Sequence, residues 1–116
     1  MVVNTTSMKK KYRKINPSKI SKMLKKENNL FIVDVRPQNF KRDSSFIKGS
    51  LHCPLLDLED KYQSFPKDKK ILITDWAMKQ SPLAAKFLIL KGYDVFGVLK
   101  GGIERWKFDN YPIENR

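Results

Sequence analysis

The chain has 116 residues, 41% hydrophobic and 31% charged, which is room for one domain with one core and not for two. That balance belongs to a soluble globular protein, and no apolar run approaches the roughly 18 residues of a membrane span. The formal charge of +12 points to nucleic acid until it is mapped. Residues 1–29 carry nine Lys/Arg and one acid, and the other 87 carry fifteen and eleven. The excess lies in Lys9, Lys10, Lys11, Arg13 and Lys14 and in the series Lys19, Lys22, Lys25, Lys26. No aromatic interleaving accompanies it, so a lysine-rich solubilising surface is expected and a nucleic-acid partner is not. One cysteine, Cys53, excludes an intramolecular disulfide and a thiolate-rich metal site. His52 is the only histidine, and as strand neighbours the two would point to opposite faces. The N-terminal stretch lacks the apolar segment of a secretory signal, so a cytoplasmic protein is expected, or a periplasmic one if a signal peptide has been removed.

Met1 to Met8 shows no periodicity, and residues 1–11 read as a flexible basic segment. A short strand is expected over Tyr12–Ile15. Asn16 is placed to cap a helix with Pro17 in its first turn. In that helix Ile20, Met23 and Leu24 form an apolar stripe opposite the lysines, and Asn28-Asn29 ends it. Leu30–Val33 reads as a strand buried on both faces, followed by Asp34-Val35-Arg36-Pro37. Ser50–Cys53 is a second strand candidate stopped by Pro54, and Leu56–Tyr62 a short helix. Ile71–Thr74 is the next buried strand. Ser81 then reads as an N-cap with Pro82 behind it, opening a helix with Leu83, Phe87 and Leu90 as its apolar stripe and Gly92 as its C-terminal cap. Val95–Leu99 is the last strand, and Gly101-Gly102 leads into a helix carrying Trp106. This alternation predicts an α/β fold in three layers: a mostly parallel sheet of about five strands with helices on both faces.

Ligands of such sheets sit beyond the carboxyl ends of the strands. Three junctions are therefore candidates: after Val33, after His52 and after Thr74. The last joins a strand to a helix through Asp75-Trp76-Ala77-Met78-Lys79-Gln80, a loop whose N–H groups could cradle an anion.

The ordered segments LFIVDVRP (30–37), FIKGSLHCPL (46–55), SPLAAKFLILKGYDV (81–95) and VLKGGIERW (98–106) together resemble the rhodanese-like family, over about Ile15 to Tyr111. The resemblance implies a rhodanese-like domain over 12–116. It also implies a six-residue loop whose first place holds a nucleophilic cysteine in sulfurtransferase members. Here that place is Asp75. Met78 and Gln80 stand where the family often has Gly and Arg, and Phe46 stands where it has His.

A thiolate can take up sulfane sulfur as a persulfide, with loop N–H donors stabilising the anion. A carboxylate cannot. Asp75 could instead be a built-in anion that accepts those same N–H bonds. Metal-assisted chemistry would need a second carboxylate, for which only Asp34 offers itself; a loop-fixing role for Asp34, with Arg36 beside it, is the plainer reading. Cys53 reads either as a small core hydrophobe or as a displaced nucleophile. Trp76 reads either as part of a contact surface with Met78 and Lys79 or as a cover over the end of the sheet. The expected function is a catalytically inactive domain with a binding or regulatory role, whose recognition surface is the loop Asp75–Gln80. The alternatives are a sulfurtransferase using Cys53, and a basic adaptor binding an acidic partner through its N-terminal lysines. No metal or cofactor is expected. The expected partner is a protein or a small anionic ligand, and the expected state a monomer or weak dimer.

Overall fold

A computed structural model describes residues 12–26, 29–37 and 44–116; the expectations for residues 1–11 and for Asn28 lie outside the described residues. The strands are β1 (Lys14–Ile15), β2 (Leu30–Asp34), β3 (Ser45–Phe46), β4 (Leu51–His52), β5 (Lys70–Thr74), β6 (Val95–Leu99) and β7 (Glu114–Asn115). The helices are α1 (Pro17–Leu24), α2 (Leu58–Lys61), flanked by two 3-10 turns, α3 (Ser81–Leu90) and α4 (Gly102–Phe108). Five strands form one sheet in the order β1-β6-β5-β2-β4, every pairing parallel. The fold is therefore the α/β layer structure expected. The pair β3–β7 is antiparallel and was not legible in the sequence, because two-residue strands leave no alternation to read.

Side chains alternate along β5 and divide the core in two. Ile71 and Ile73 join Val33, Ala84, Ala85 and Leu88 on the α3 face. Leu72 joins Ile20, Ile32, Ile103 and Trp106 on the α1/α4 face. Both faces of the central strands are covered, which is why they read as unbroken apolar runs.

Four local expectations are corrected. Asn16 caps α1 with its carbonyl, which accepts from Lys19 and Ile20 N–H; its side chain makes no capping bond. That helix also ends at Leu24, earlier than the Asn pair. In α3, Ser81 lies inside the helix and Gln80 is the cap residue. The buried face of α3 is Ser81, Ala84, Ala85 and Leu88, whereas Leu83 and Leu90 are 57% and 82% exposed. This helix is apolar nearly all round, so periodicity cannot choose its face. The phase is set by two small alanines that let the helix approach the sheet and by the tie of Ser81 to Asp75. Gly92 does end the helix as expected, with the N–H of Gly92 and Tyr93 donating to Ile89 and Leu88.

Candidate functional site

Strands β4, β2 and β5 are neighbours, so the three candidate junctions meet at one edge. Their backbones are stitched together there: Val35 N–H donates to Thr74, Cys53 N–H to Asp34, and Leu55 N–H to Val35.

The loop after Thr74 folds around its first residue. Asp75 is 2% exposed. Its Oδ1 accepts from Met78 N–H at 2.6 Å and from the Ser81 hydroxyl at 3.3 Å. Its Oδ2 accepts from Gln80 N–H at 2.6 Å and Ser81 N–H at 2.9 Å. The N–H donors that a nest of this kind offers to an external anion are thus taken by a carboxylate of the chain itself. Met78 reaches this geometry with φ of +65°, a left-handed conformation that costs a non-glycine residue roughly 1–2 kcal/mol. Its sulfur partly anchors it, because Gly101 N–H donates to Met78 Sδ at 3.1 Å.

The N-terminus of α4 closes the loop from the other side. Ile103 and Glu104 N–H donate to the carbonyls of Asp75 and Trp76 at 2.8 and 3.0 Å. Gly102 makes this approach available: its φ is +67°, and a Cβ there would overlap the Trp76 carbonyl. Trp76 is half-buried and packs against the α1/α4 core. Ala77, Met78 and Gln80 are half-buried and Lys79 is exposed. What the loop presents outward is therefore mixed and largely uncharged.

Asp34 and Arg36 form a buried pair beneath this edge. Arg36 Nη2 donates to Asp34 Oδ2 at 2.6 Å and Nε to Oδ1 at 3.0 Å, while the Arg36 backbone N–H donates to Oδ1. Arg36 Nη2 also reaches the Ser45 carbonyl at 2.6 Å, so β3 and its partner β7 hold the acceptor in place. Arg116 approaches Asp34 at 3.9 Å and lies over the Phe46 ring at 4.6 Å. Sequence reasoning missed this C-terminal contribution, since only the tertiary return of β7 creates it. The neighbouring Asp34 carboxylate is thus committed to Arg36, and no group of three or more His/Cys/Asp/Glu suited to a metal exists among the described residues.

Beside the loop lies an open cleft of about 580 Å³ lined by Val35, Pro37, Pro54, Leu55, Leu56, Asp57 and Gln80. Cys53 does not line it. The Cys53 side chain is 1% exposed and packs in the α3-face core. Burial pushes its thiol pKa up; Lys61 opposes this and Asp57 adds to it. The influence of Lys61 was invisible in the local sequence, since it arrives through α2.

A five-stranded parallel sheet with a strand–loop–helix nest at its carboxyl edge defines an α/β domain whose loop N–H groups converge on one carboxylate. Comparison with known proteins names the family. The model of the rhodanese-like domain matches residues 16–109, and the chain belongs to that family. It is similar to a rhodanese-related protein from Thermoplasma volcanium, at 26% identity and a TM-score of 0.78, over 89% of this chain and 98% of that one. It also matches reduced CoADR-RHD from Bacillus anthracis at 31% identity and a TM-score of 0.70, over 82% of this chain but 16% of that longer one. A rhodanese-like domain protein from Staphylococcus aureus, at 21% identity and TM-score 0.77 over 90% and 98% of the two chains, shares the fold. No helix among the described residues is long and apolar enough to cross a membrane.

Proposed function

We propose that this rhodanese-like domain is a binding or regulatory module without sulfurtransferase activity, with the loop Asp75–Gln80 and the adjoining cleft as its recognition surface. The observation that carries this reading is the Asp75 carboxylate seated on the Met78, Gln80 and Ser81 N–H groups. A carboxylate forms no stable bond to sulfane sulfur, and an anionic sulfur donor would have to compete with it for donors already engaged. The buried Asp75 shapes the loop rather than touching a partner. Contact falls to Lys79, Gln80, Met78 and the exposed Leu56 at the rim of the cleft. An apolar cleft with few polar groups suits a protein side chain or small ligand.

Cys53 is less suited to the sulfur-carrying role, because nucleophilic cysteines need a lowered pKa and access, and its thiol has burial against both. The test is sulfur transfer from thiosulfate to cyanide, with intact mass before and after, on the wild type and Cys53→Ser. The expected result is no turnover and no gain of about 32 Da, the mass of a persulfide sulfur. Turnover that disappears in Cys53→Ser would overturn the proposal and make the protein an enzyme with a relocated nucleophile.

A further inference from the structure

At the opposite end of the sheet, the amino-terminal ends of β5 and β6, three cations converge on one ring. The Arg13 guanidinium carbon and the Lys19 ammonium each lie 5.5 Å from the Phe96 centroid, and the Lys70 ammonium lies 5.6 Å from it. No two of these charges can be further apart than twice that distance, about one Debye length at 0.1 M salt (~10 Å). They come from three elements: the entry to β1, the first turn of α1 and the start of β5. Phe96 is brought to their meeting point by an irregularity in β6. Ile71 pairs with Val95 but Leu72 pairs with Gly97, so Phe96 is the extra residue of a bulge, a device that re-aims a side chain.

Among the described residues, no carboxylate lies within 4.0 Å of these three cations, whereas Arg36, Arg105 and Arg116 each have one. The acids nearest in sequence, Asp68 and Asp94, form no ion pair with them. Cation–π attraction to the ring holds each charge there, but the three repel one another, and an anion between them would reverse that repulsion. All three residues are exposed, so the position is open to solvent, and Lys14 and Lys69 flank it in sequence.

We propose that this cluster is a binding site for a small phosphate-bearing anion, a phosphomonoester or pyrophosphate group. Three cations call for more than the single charge of a carboxylate. A phosphate carries about −1.5 to −2 and three acceptor oxygens; Arg13 can engage two of them side by side, with the lysines acting as point charges. A single-stranded nucleic acid fits less well, because Phe96 is 8% exposed and offers no open ring face for a base to stack on. The site is remote from the loop after Thr74 and does not depend on the function proposed for that loop.

Calorimetric titration of the full chain with inorganic pyrophosphate at low salt tests it. Parallel arms use phosphatidylcholine vesicles with and without phosphatidylinositol phosphate, and a ten-nucleotide oligo(dT). The expected result is saturable 1:1 binding of pyrophosphate. Arg13→Ala, Lys19→Ala and Lys70→Ala should each weaken it about two- to fivefold, and Lys86→Ala, an exposed lysine on α3, should leave it unchanged. Binding confined to the phosphoinositide vesicles, with the same three variants weakened, would support the site and assign the phosphate to a lipid headgroup. Three results would overturn the proposal: no saturable binding in either arm, equal weakening by Lys86→Ala, or tighter binding of oligo(dT) than of pyrophosphate at equal phosphate concentration. Because all four substituted side chains are exposed, far-UV circular dichroism should show every variant folded.

Discussion

Three backbone N–H groups and a hydroxyl meeting on the Asp75 carboxylate are charge-assisted hydrogen bonds, each worth about 1.5–3 kcal/mol in such settings. The loop is thus held by its own first residue, and the strain at Met78 is part of the same arrangement, since its N–H must point inward. Met78→Gly should accordingly be more stable than Met78→Ala by about 1 kcal/mol in denaturant unfolding. Both variants lose the sulfur contact and the packing, but only alanine retains the cost of a positive φ. Equal stabilities would mean that the +65° conformation carries no strain. Cys53 makes a second prediction at this scale. Burial raises its thiol pKa in the folded chain, so between the ordinary value of about 8.5 and the folded one, the unfolded chain has lost a proton that the folded chain keeps. Stability is therefore fully present below about pH 8.5 and falls as pH rises beyond it. Cys53→Ala should show a shallower decline over that range than the wild type.

At the scale of elements, the loop is positioned by β5, α3 and the N-terminus of α4, and the Asp34–Arg36 pair ties β2 to the segment around Ser45. Both side chains are almost fully buried, so Asp34→Asn removes the carboxylate charge that Arg36 holds at 2.6 Å. The expected loss is about 3–5 kcal/mol, read as a lowered denaturant midpoint with unchanged slope. Arg116→Ala should cost under about 1 kcal/mol, because that contact is long and half-exposed. The order and type of the long elements were legible in the sequence, since the runs Leu30–Val33, Ile71–Thr74 and Val95–Leu99 are bounded by clear turn residues. The residues of the loop were legible too, from its place between a buried strand and a proline-opened helix. The face of α3 was not, because Leu83, Phe87 and Leu90 match helical spacing as well as Ala84, Ala85 and Leu88 do. Nor was the support of Arg36 by Ser45, which needs a carbonyl nine residues away, or the seat of Trp76 against the α1/α4 core. Local pattern specifies which residues meet water or core along one element, not which distant backbone groups they meet.

For the whole molecule, the parallel sheet separates two ends with different electrostatics. Its carboxyl end holds a nest filled by an internal carboxylate beside an apolar cleft, and its amino end holds three cations with no carboxylate within 4.0 Å among the described residues. Leu56, Leu83, Leu90 and Phe108 are large apolar side chains left exposed, and Leu56 stands at the cleft itself. The chain thus has the family's fold and holds the Asp75 carboxylate on its own loop N–H groups; a fold does not by itself fix the chemistry of such a site. The most direct test of this account follows the amides of Met78, Gln80 and Ser81 by NMR during thiosulfate titration of the wild type and of Asp75→Ala. The account predicts no saturable shift at these three amides in the wild type. In the variant it predicts saturable shifts, with a melting temperature that is lowered and then partly recovered as thiosulfate fills the nest. Saturable shifts at the same amides in the wild type would contradict it, because Asp75 would then not be the anion that the loop holds.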